Sequence, residues 1–470
     1  MEQPMKLRVP AAVIPALLIL LLPAHLLGLE SLPGIQQRML AIFVMAVSFW
    51  ILEPIPIFAT SILLIFAEVL LISSQSLLIF RGGPEAESLI AYTRILQTFA
   101  SPIIMLFLGG FFLAIAATKY RLDINLARVL LKPFGNNPRW IMLGLMFITG
   151  TFSMFMSNTA TTALMLAILS PVLRGMRDGD PGRIAFVLSI PIAANIGGVG
   201  TPIGTPPNAV AMKYLVGSDA ITFAEWMSFG IPLSVVIMMV AWMLLLVIFP
   251  PQEKEMELAI KGEFQTSWQA WIVYVIFAST ILLWLTGKLH GLNSYVVALL
   301  PVAVFLAFRI ITKEDLKLLS WDVLWLISGG IALGLGLEET GLSKTLVEVL
   351  PFSEWPALTV LVGSAVIALL MSTFISNTAT ANLLLPLMAA LGSSQPALQQ
   401  LGGTKAIVLI NTFACSMAMA LPVSTPPNAL AFASGMLKGP ELMKAGALVS
   451  ILGLLVSFVA VWLMRLVGFV

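Results

Sequence analysis

Apolar residues run along this chain in long blocks, without the short alternation or amphipathic period that marks a soluble fold. Eleven blocks predict membrane spans, near Pro10–Leu29, Met39–Leu52, Ile55–Ile72, Pro102–Thr118, Arg183–Leu215, Met227–Phe249, Trp268–Thr286, Ser294–Ile311, Trp321–Leu337, Gly403–Ser434 and Met443–Val467. Two further stretches, Trp140–Leu173 and Trp355–Leu391, are too long for one simple span, and each is interrupted by the polar run SNTAT. Open backbone cannot face lipid, because each unsatisfied polar group there costs several kcal/mol. These stretches therefore predict re-entrant hairpins over 139–175 and 355–392, each entering and leaving on one side.

Composition sharpens the class. Hydrophobic residues make up 59% of the 470, charged residues 10%, and mean hydropathy is +1.00. A soluble domain carries about 25% charged residues, so a soluble enzyme, a nucleic-acid binder and a disordered chain are all excluded. The net charge of +2 points to no nucleic-acid partner, and the single Cys415 forms no intramolecular disulfide. Lys6 and Arg8 precede the first block, which reads as a retained transmembrane helix over 1–37 rather than a cleaved signal. With the N-terminus in the cytoplasm and neither hairpin crossing, 17 of the 25 Lys and Arg fall inside and 8 outside. That is the sense of the positive-inside rule, and it predicts an outside C-terminus; the absence of any Asn-x-Ser/Thr acceptor points to a bacterial inner (plasma) membrane over a glycosylated eukaryotic one.

The polar linker 251–267 divides the chain near its middle and prompts a search for a repeat. SNTAT begins at Ser157 and again at Ser376; TPPNA begins at Thr205 and again at Thr425; the Gly109–Gly110 pair returns at Gly329–Gly330. The offsets are 219, 220 and 220 (376 − 157, 425 − 205, 329 − 109). The charge-sorted topology sends the matched spans in opposite directions. The expected architecture is thus an all-α polytopic membrane protein with a first inverted repeat over 38–250, a cytoplasmic linker, and a second over 268–470. Each repeat carries one hairpin and one broken helix, over 183–215 and 403–435.

Two consecutive prolines inside an apolar span predict a break near mid-bilayer. A break frees carbonyls, which with hydroxyl and amide oxygens suit a hard cation such as sodium. It also exposes a half-helix N-terminus, which suits an anion. A lone SNT cluster is readily explained as packing glue between helices; two SNTAT and two TPPN motifs in register are not. Glu53, between two spans, and Glu68, within one, are secondary candidates because an intramembrane acid is a functional suspect. No Walker loop, His/Cys cluster or Ser-His-Asp set accompanies the motifs, so the chain is expected to be a transporter and not an enzyme, with no cofactor beyond coupling ions.

The paired SNT and TPPN motifs resemble those of the divalent anion/sodium symporters, over nearly the whole chain. The resemblance implies a homodimer in which a transport domain moves past a scaffold as an elevator. It implies a first sodium site at Ser153, Ser157, Asn158 and the Gly204 carbonyl, and a second at Ser372, Ser376, Asn377 and the Ser424 carbonyl. Substrate would meet Ser157, Asn158, Thr159, Ser376, Asn377 and Thr378, with Thr205 and Thr425 beside the helix breaks. The implied function is sodium-coupled import of C4-dicarboxylates such as succinate, malate and fumarate. Dicarboxylate exchange, sulfate or citrate transport and, further off, an anion channel remain alternatives.

Overall fold

A computed structural model describes residues 5–23, 26, 32–82, 86–177, 179–256, 263–349 and 355–470. The chain is all-helical; among the described residues the one β contact is an isolated bridge between Ser73 and Ile90. The linker expected over 251–267 is described only at its two ends.

Three helices come first, α1 (Met5–Leu21), α2 (Gly34–Leu52) and α3 (Ile57–Ile72). Seven more follow: α4 (Pro102–Lys119), α5 (Leu122–Leu131), α6 (Pro138–Ser153), α7 (Asn158–Gly175), α8 (Pro181–Gly198), α9 (Pro206–Tyr214) and α10 (Phe223–Ile248). Then α11 (Trp268–Leu285) and α12 (Leu299–Ala307) lead into α13 (Trp321–Glu339), α14 (Leu342–Val349), α15 (Ala357–Phe374), α16 (Asn377–Ser394), α17 (Gly403–Met417), α18 (Pro426–Ala433) and α19 (Gly439–Leu466). The order long helix, short helix, hairpin, broken helix, long helix occurs twice: α4 to α10 and α13 to α19.

Both hairpins turn over in a few residues because the tip serine starts the second helix. Ser157 accepts from Ala160 N–H and Ser376 from Ala379 N–H, each at 3.1 Å. A serine in extended geometry that satisfies an orphan amide is a strong helix start, so the polar SNT run is the N-terminus of a new helix rather than a defect in an old one.

The helix breaks differ from the sequence expectation in one respect. The prolines do not end the first half-helix; α8 has already stopped at Gly198 and α17 at Met417. Instead Pro206 and Pro426 open the second half-helices. There the missing N–H costs nothing, and the fixed φ is already helical. Thr205 (φ −145°, ψ 143°) and Thr425 (φ −144°, ψ 147°) are extended, as a residue before proline must be. Single prolines at 191, 232 and 386 stay within continuous helices.

Freed carbonyls are re-satisfied by buried side chains. Asn208 Nδ2 donates to the carbonyls of Gly198, Val199 and Thr201 at 3.1, 3.3 and 2.8 Å. Trp226 Nε1 donates to the Val199 carbonyl at 3.0 Å and Ser234 Oγ to that of Ile196 at 3.0 Å. In the second repeat Asn428 Nδ2 donates to the carbonyls of Met419 and Leu421 at 2.8 and 3.0 Å. Close helix approach supplies the rest of the packing: a methyl group at Gly109 would overlap Ala298, and one at Gly329 would overlap Ser61. Glu53 ends α2 in the left-handed region (φ 45°), while Glu68 is fully buried on α3.

Candidate functional site

The two hairpin tips and the two proline breaks meet around one cavity of about 230 Å³. Its wall includes Ser157, Asn158 and Thr159 from one tip and Ser376, Asn377 and Thr378 from the other. Gly204 and Thr205 come from the first break and Ser424 and Thr425 from the second. Ser153 and Ser372 do not reach the cavity; both are fully buried behind the tips.

Those two serines organise the most telling geometry in the molecule. Ser153 Oγ is within hydrogen-bond reach of Asn158 Oδ1 and 2.7 Å from the Ala194 carbonyl oxygen. Ser372 Oγ is 2.8 Å from Asn377 Oδ1 and 3.0 Å from the Cys415 carbonyl oxygen. A hydroxyl has one proton to give, so it can bond only one of its two oxygen neighbours. Each repeat therefore gathers three oxygens around a single proton, a donor set suited to a hard cation.

Space beside the first cluster is kept by a glycine. A methyl group at Gly198 would lie 2.8 Å from the Gly204 carbonyl oxygen and 3.0 Å from both Asn158 Oδ1 and Nδ2. The matching position in the second repeat is Ala418, 220 residues on. The second cluster is also tied differently, since the Ser424 hydroxyl donates to the Thr373 carbonyl at 2.7 Å. In the first repeat that tie, to the Met154 carbonyl, is made by Thr201 instead. The two oxygen clusters are alike in donor type and unequal in surroundings.

With Oδ1 of each tip asparagine turned to its serine, Nδ2 is left without a protein acceptor among the described residues on the cavity side. Asn195, which the motif reading did not single out, also lines the cavity. Its Nδ2 donates across to Thr425 Oγ1 at 3.1 Å and Asn428 Oδ1 at 3.3 Å, locking one repeat to the other. Asp322 is the one charged side chain lining the cavity among the described residues.

Access is one-sided. The first tip exposes Ala160 to a second space, shared with Met156 and Ser157 and bounded by Lys119, Asp315, Leu318 and Ser320, and Thr159 beside it is exposed as well. At the other tip Ala379 is fully buried and Thr378 is 7% exposed. Lys119 and Asp315 form an ion pair at the rim of this vestibule. Burial alone raises the Asp315 carboxyl, but hydrogen bonds from Lys119 Nζ and from the Thr312 N–H and hydroxyl outweigh it and hold the group below its ordinary range.

A model of the sodium:sulfate symporter transmembrane region matches residues 4–469. The sodium-dependent dicarboxylate transporter SdcS of Staphylococcus saprophyticus is 31% identical over 461 residues, 90% of this chain and 85% of its own. The sodium-dependent high-affinity dicarboxylate transporter 3 of Caenorhabditis elegans is 32% identical over 414 residues, 74% of this chain and 71% of its own. An uncharacterized transporter of Schizosaccharomyces pombe is 31% identical over 455 residues; the match spans 92% of this chain but about half, 50%, of the yeast chain. Among solved structures, the Alcanivorax borkumensis YdaH transporter shares the fold at a TM-score of 0.55 and 16% identity, over 80% of this chain and 88% of its own.

Proposed function

Because the chain belongs to the sodium:sulfate symporter transmembrane family, we propose that this multi-pass membrane transporter imports C4-dicarboxylates such as succinate, malate and fumarate, driven by sodium. The observation that carries this reading is the pairing of two three-oxygen clusters with two asparagine amides on a single cavity. Sodium would be held by Ser153, Asn158 and the Ala194 and Gly204 carbonyls in one repeat. In the other, Ser372, Asn377 and the Cys415 carbonyl would hold it. Ser157 and Ser376 cap the helices that begin at the two tip asparagines, and the Ser424 carbonyl would complete the second site. Each asparagine then serves both ligands, its oxygen toward the ion and its NH2 toward a substrate carboxylate. Thr159, Thr378, Thr205 and Thr425 offer hydroxyls to the same anion.

Charge balance supports the coupling. Among the described residues the cavity is lined by no Lys, Arg or His, and Asp322 adds a negative charge of its own. A half-helix N-terminus contributes about 0.3–1 kcal/mol toward an anion, up to roughly 2 in favourable geometry. That cannot offset the burial of a dianion. Bound sodium supplies the missing positive charge, so the ion must precede the anion.

We take the hairpins, the broken helices and the helix after each (α6 to α10 and α15 to α19) as the moving part, and α1 to α4 with α11 to α13 as the scaffold of a homodimer. The open vestibule at the first tip is then one end state of an elevator. The deciding experiment is uptake of labelled succinate into proteoliposomes with and without an inward sodium gradient, with sulfate and citrate as competitors. Sodium-driven uptake that neither sulfate nor citrate competes away is expected; gradient-independent uptake with counterflow would make the protein an exchanger.

A further inference from the structure

The tips and breaks do not close the central cavity by themselves. One side of its wall comes from elements taken above as scaffold: Ile57 of α3, Phe107 and Phe111 of α4, and Asp322, Val323 and Leu326 at the start of α13. Five of these six are apolar. Asp322 is exposed, and among the described residues no hydrogen bond or ion pair is made to its carboxylate. Other acids on the loops and helix ends are matched: Asp315 by Lys119, Glu339 by Arg94 and Glu225 by Lys288. An acid in the first turn of a helix gains from the N-terminal dipole, and Asp322 occupies such a place. That explains why the helix tolerates it. It does not explain an unmatched negative charge on the wall of a cavity built for an anion.

Its place along the path is also particular. The vestibule is bounded by Leu318 and Ser320, which come just before Asp322 in the chain, and Phe111, Met156 and Ser157 border both spaces. Asp322 therefore stands where the cavity meets the way out. Glu339 ends the same helix 17 residues on (339 − 322), about 25 Å away at roughly 1.5 Å per residue. When the tips travel from the vestibule toward that far end, Asp322 stays behind. Its charge faces the ligand in one end state only.

We propose that Asp322 is the release residue of the vestibule-open state, a fixed charge that repels the bound dicarboxylate into the vestibule and repels more highly charged anions harder still. The proposal rests on the dicarboxylate and sliding readings given above, and adds to them a limit on the charge of the cargo. A cavity of about 230 Å³ is roughly 8 Å across, and at that distance in a wet site each ligand charge weakens binding by about threefold. A dianion then loses about tenfold in affinity and a trianion about thirtyfold. In the opposite end state neither loses anything to Asp322.

The test follows initial rates of labelled succinate entry into right-side-out and inside-out membrane vesicles, at saturating sodium. The parent must show sodium-driven entry; without it the transport reading fails, and this proposal with it. Given that entry, Asp322→Asn is expected to lower KM for succinate about tenfold from one face, with kcat falling alongside because the bound state lies deeper. From the other face both should stay within about twofold. Citrate, at a pH where it is fully ionised, should gain about thirtyfold as an inhibitor from the first face. Asp322→Glu keeps the charge and should behave as the parent, and a detergent melting curve confirms that each variant is folded. An unchanged KM in Asp322→Asn overturns the proposal, as does an equal gain for succinate and citrate, which would mark a relief of crowding. An equal gain from both faces also overturns it, since Asp322 would then travel with the site. In each of these outcomes sodium-driven uptake survives, and the transport reading stands.

Discussion

Asn158 and Asn377 show how much one side chain can couple. Each is held by a buried serine through its oxygen and lines the cavity, with no protein acceptor for its nitrogen among the described residues. On the proposed reading, alanine at either position removes an ion ligand and a carboxylate donor together. We expect Asn158→Ala and Asn377→Ala each to reduce sodium-driven succinate uptake at least a hundredfold, while size-exclusion profiles remain those of the parent; parental uptake by either variant would exclude the site. Aspartate at the same positions should separate the roles, since it keeps an oxygen for the ion and loses the donor. These two residues are legible in the sequence because their motif recurs at a fixed offset. Asn195 is not. Its partners Thr425 and Asn428 lie 230 and 233 residues away, and the matching place 220 on holds Cys415, so neither spacing nor repetition marks it. The hydroxyl ties of Thr201 and Ser424 are hidden for a related reason: they are equivalent but come from positions that do not align, and Ser424 enters the sequence reading only through its carbonyl.

At the level of elements, apolar length and polar interruption locate the helices, and capping chemistry decides where they stop. The hairpin expected over 139–175 is two helices, Pro138–Ser153 and Asn158–Gly175, and that over 355–392 is Ala357–Phe374 and Asn377–Ser394. What hydropathy cannot show is that the proline pair begins a helix, since proline's effect depends on whether its N–H was needed. Nor does it show that the block from Ser294 to Ile311 is two short helices, Ser294–Val297 and Leu299–Ala307, followed by Arg309 in the left-handed region (φ 53°). The break between α8 and α9 also yields a prediction. Gly198 leaves the gap where the Gly204 carbonyl and the Asn158 amide approach each other. Gly198→Ala should fill the first ion cluster, raising the sodium concentration for half-maximal uptake about tenfold or more. Ala418→Gly, at the matching place, should leave that concentration within about twofold, as the second cluster has no such gap to lose. Sodium titrations of uptake at saturating succinate measure both.

For the whole molecule, the governing quantity is the charge in the cavity. Asp322 is its one charged side chain among the described residues, so an anion arriving alone meets a net repulsion. Succinate binding, followed by calorimetry on detergent-purified protein, should weaken at least a hundredfold when sodium is replaced by choline. Linkage then requires succinate to tighten sodium binding by the same factor. Equal succinate affinity in both buffers would remove the physical basis for the ion clusters. The unequal exposure of the two tips is likewise a property of the whole, and two nearly identical SNTAT motifs give no hint of it.

The amide bridge from Asn195 to Thr425 and Asn428 joins halves that could pass, in sequence, for two copies of one ancestral unit. Neither half owns a complete cavity: each brings one tip and one break, and the wall closes only when both are present. Such a protein cannot be shortened to a working monomeric half, however faithful the duplication. If the gene is split within 251–267, each fragment made alone should carry nothing. The two made together should find one another through α8 and α18 and recover uptake, with Asn195→Ala blocking that recovery while sparing most activity of the unbroken chain. Complementation between fragments thus weighs a bond whose worth is concealed as long as the linker keeps the halves in company.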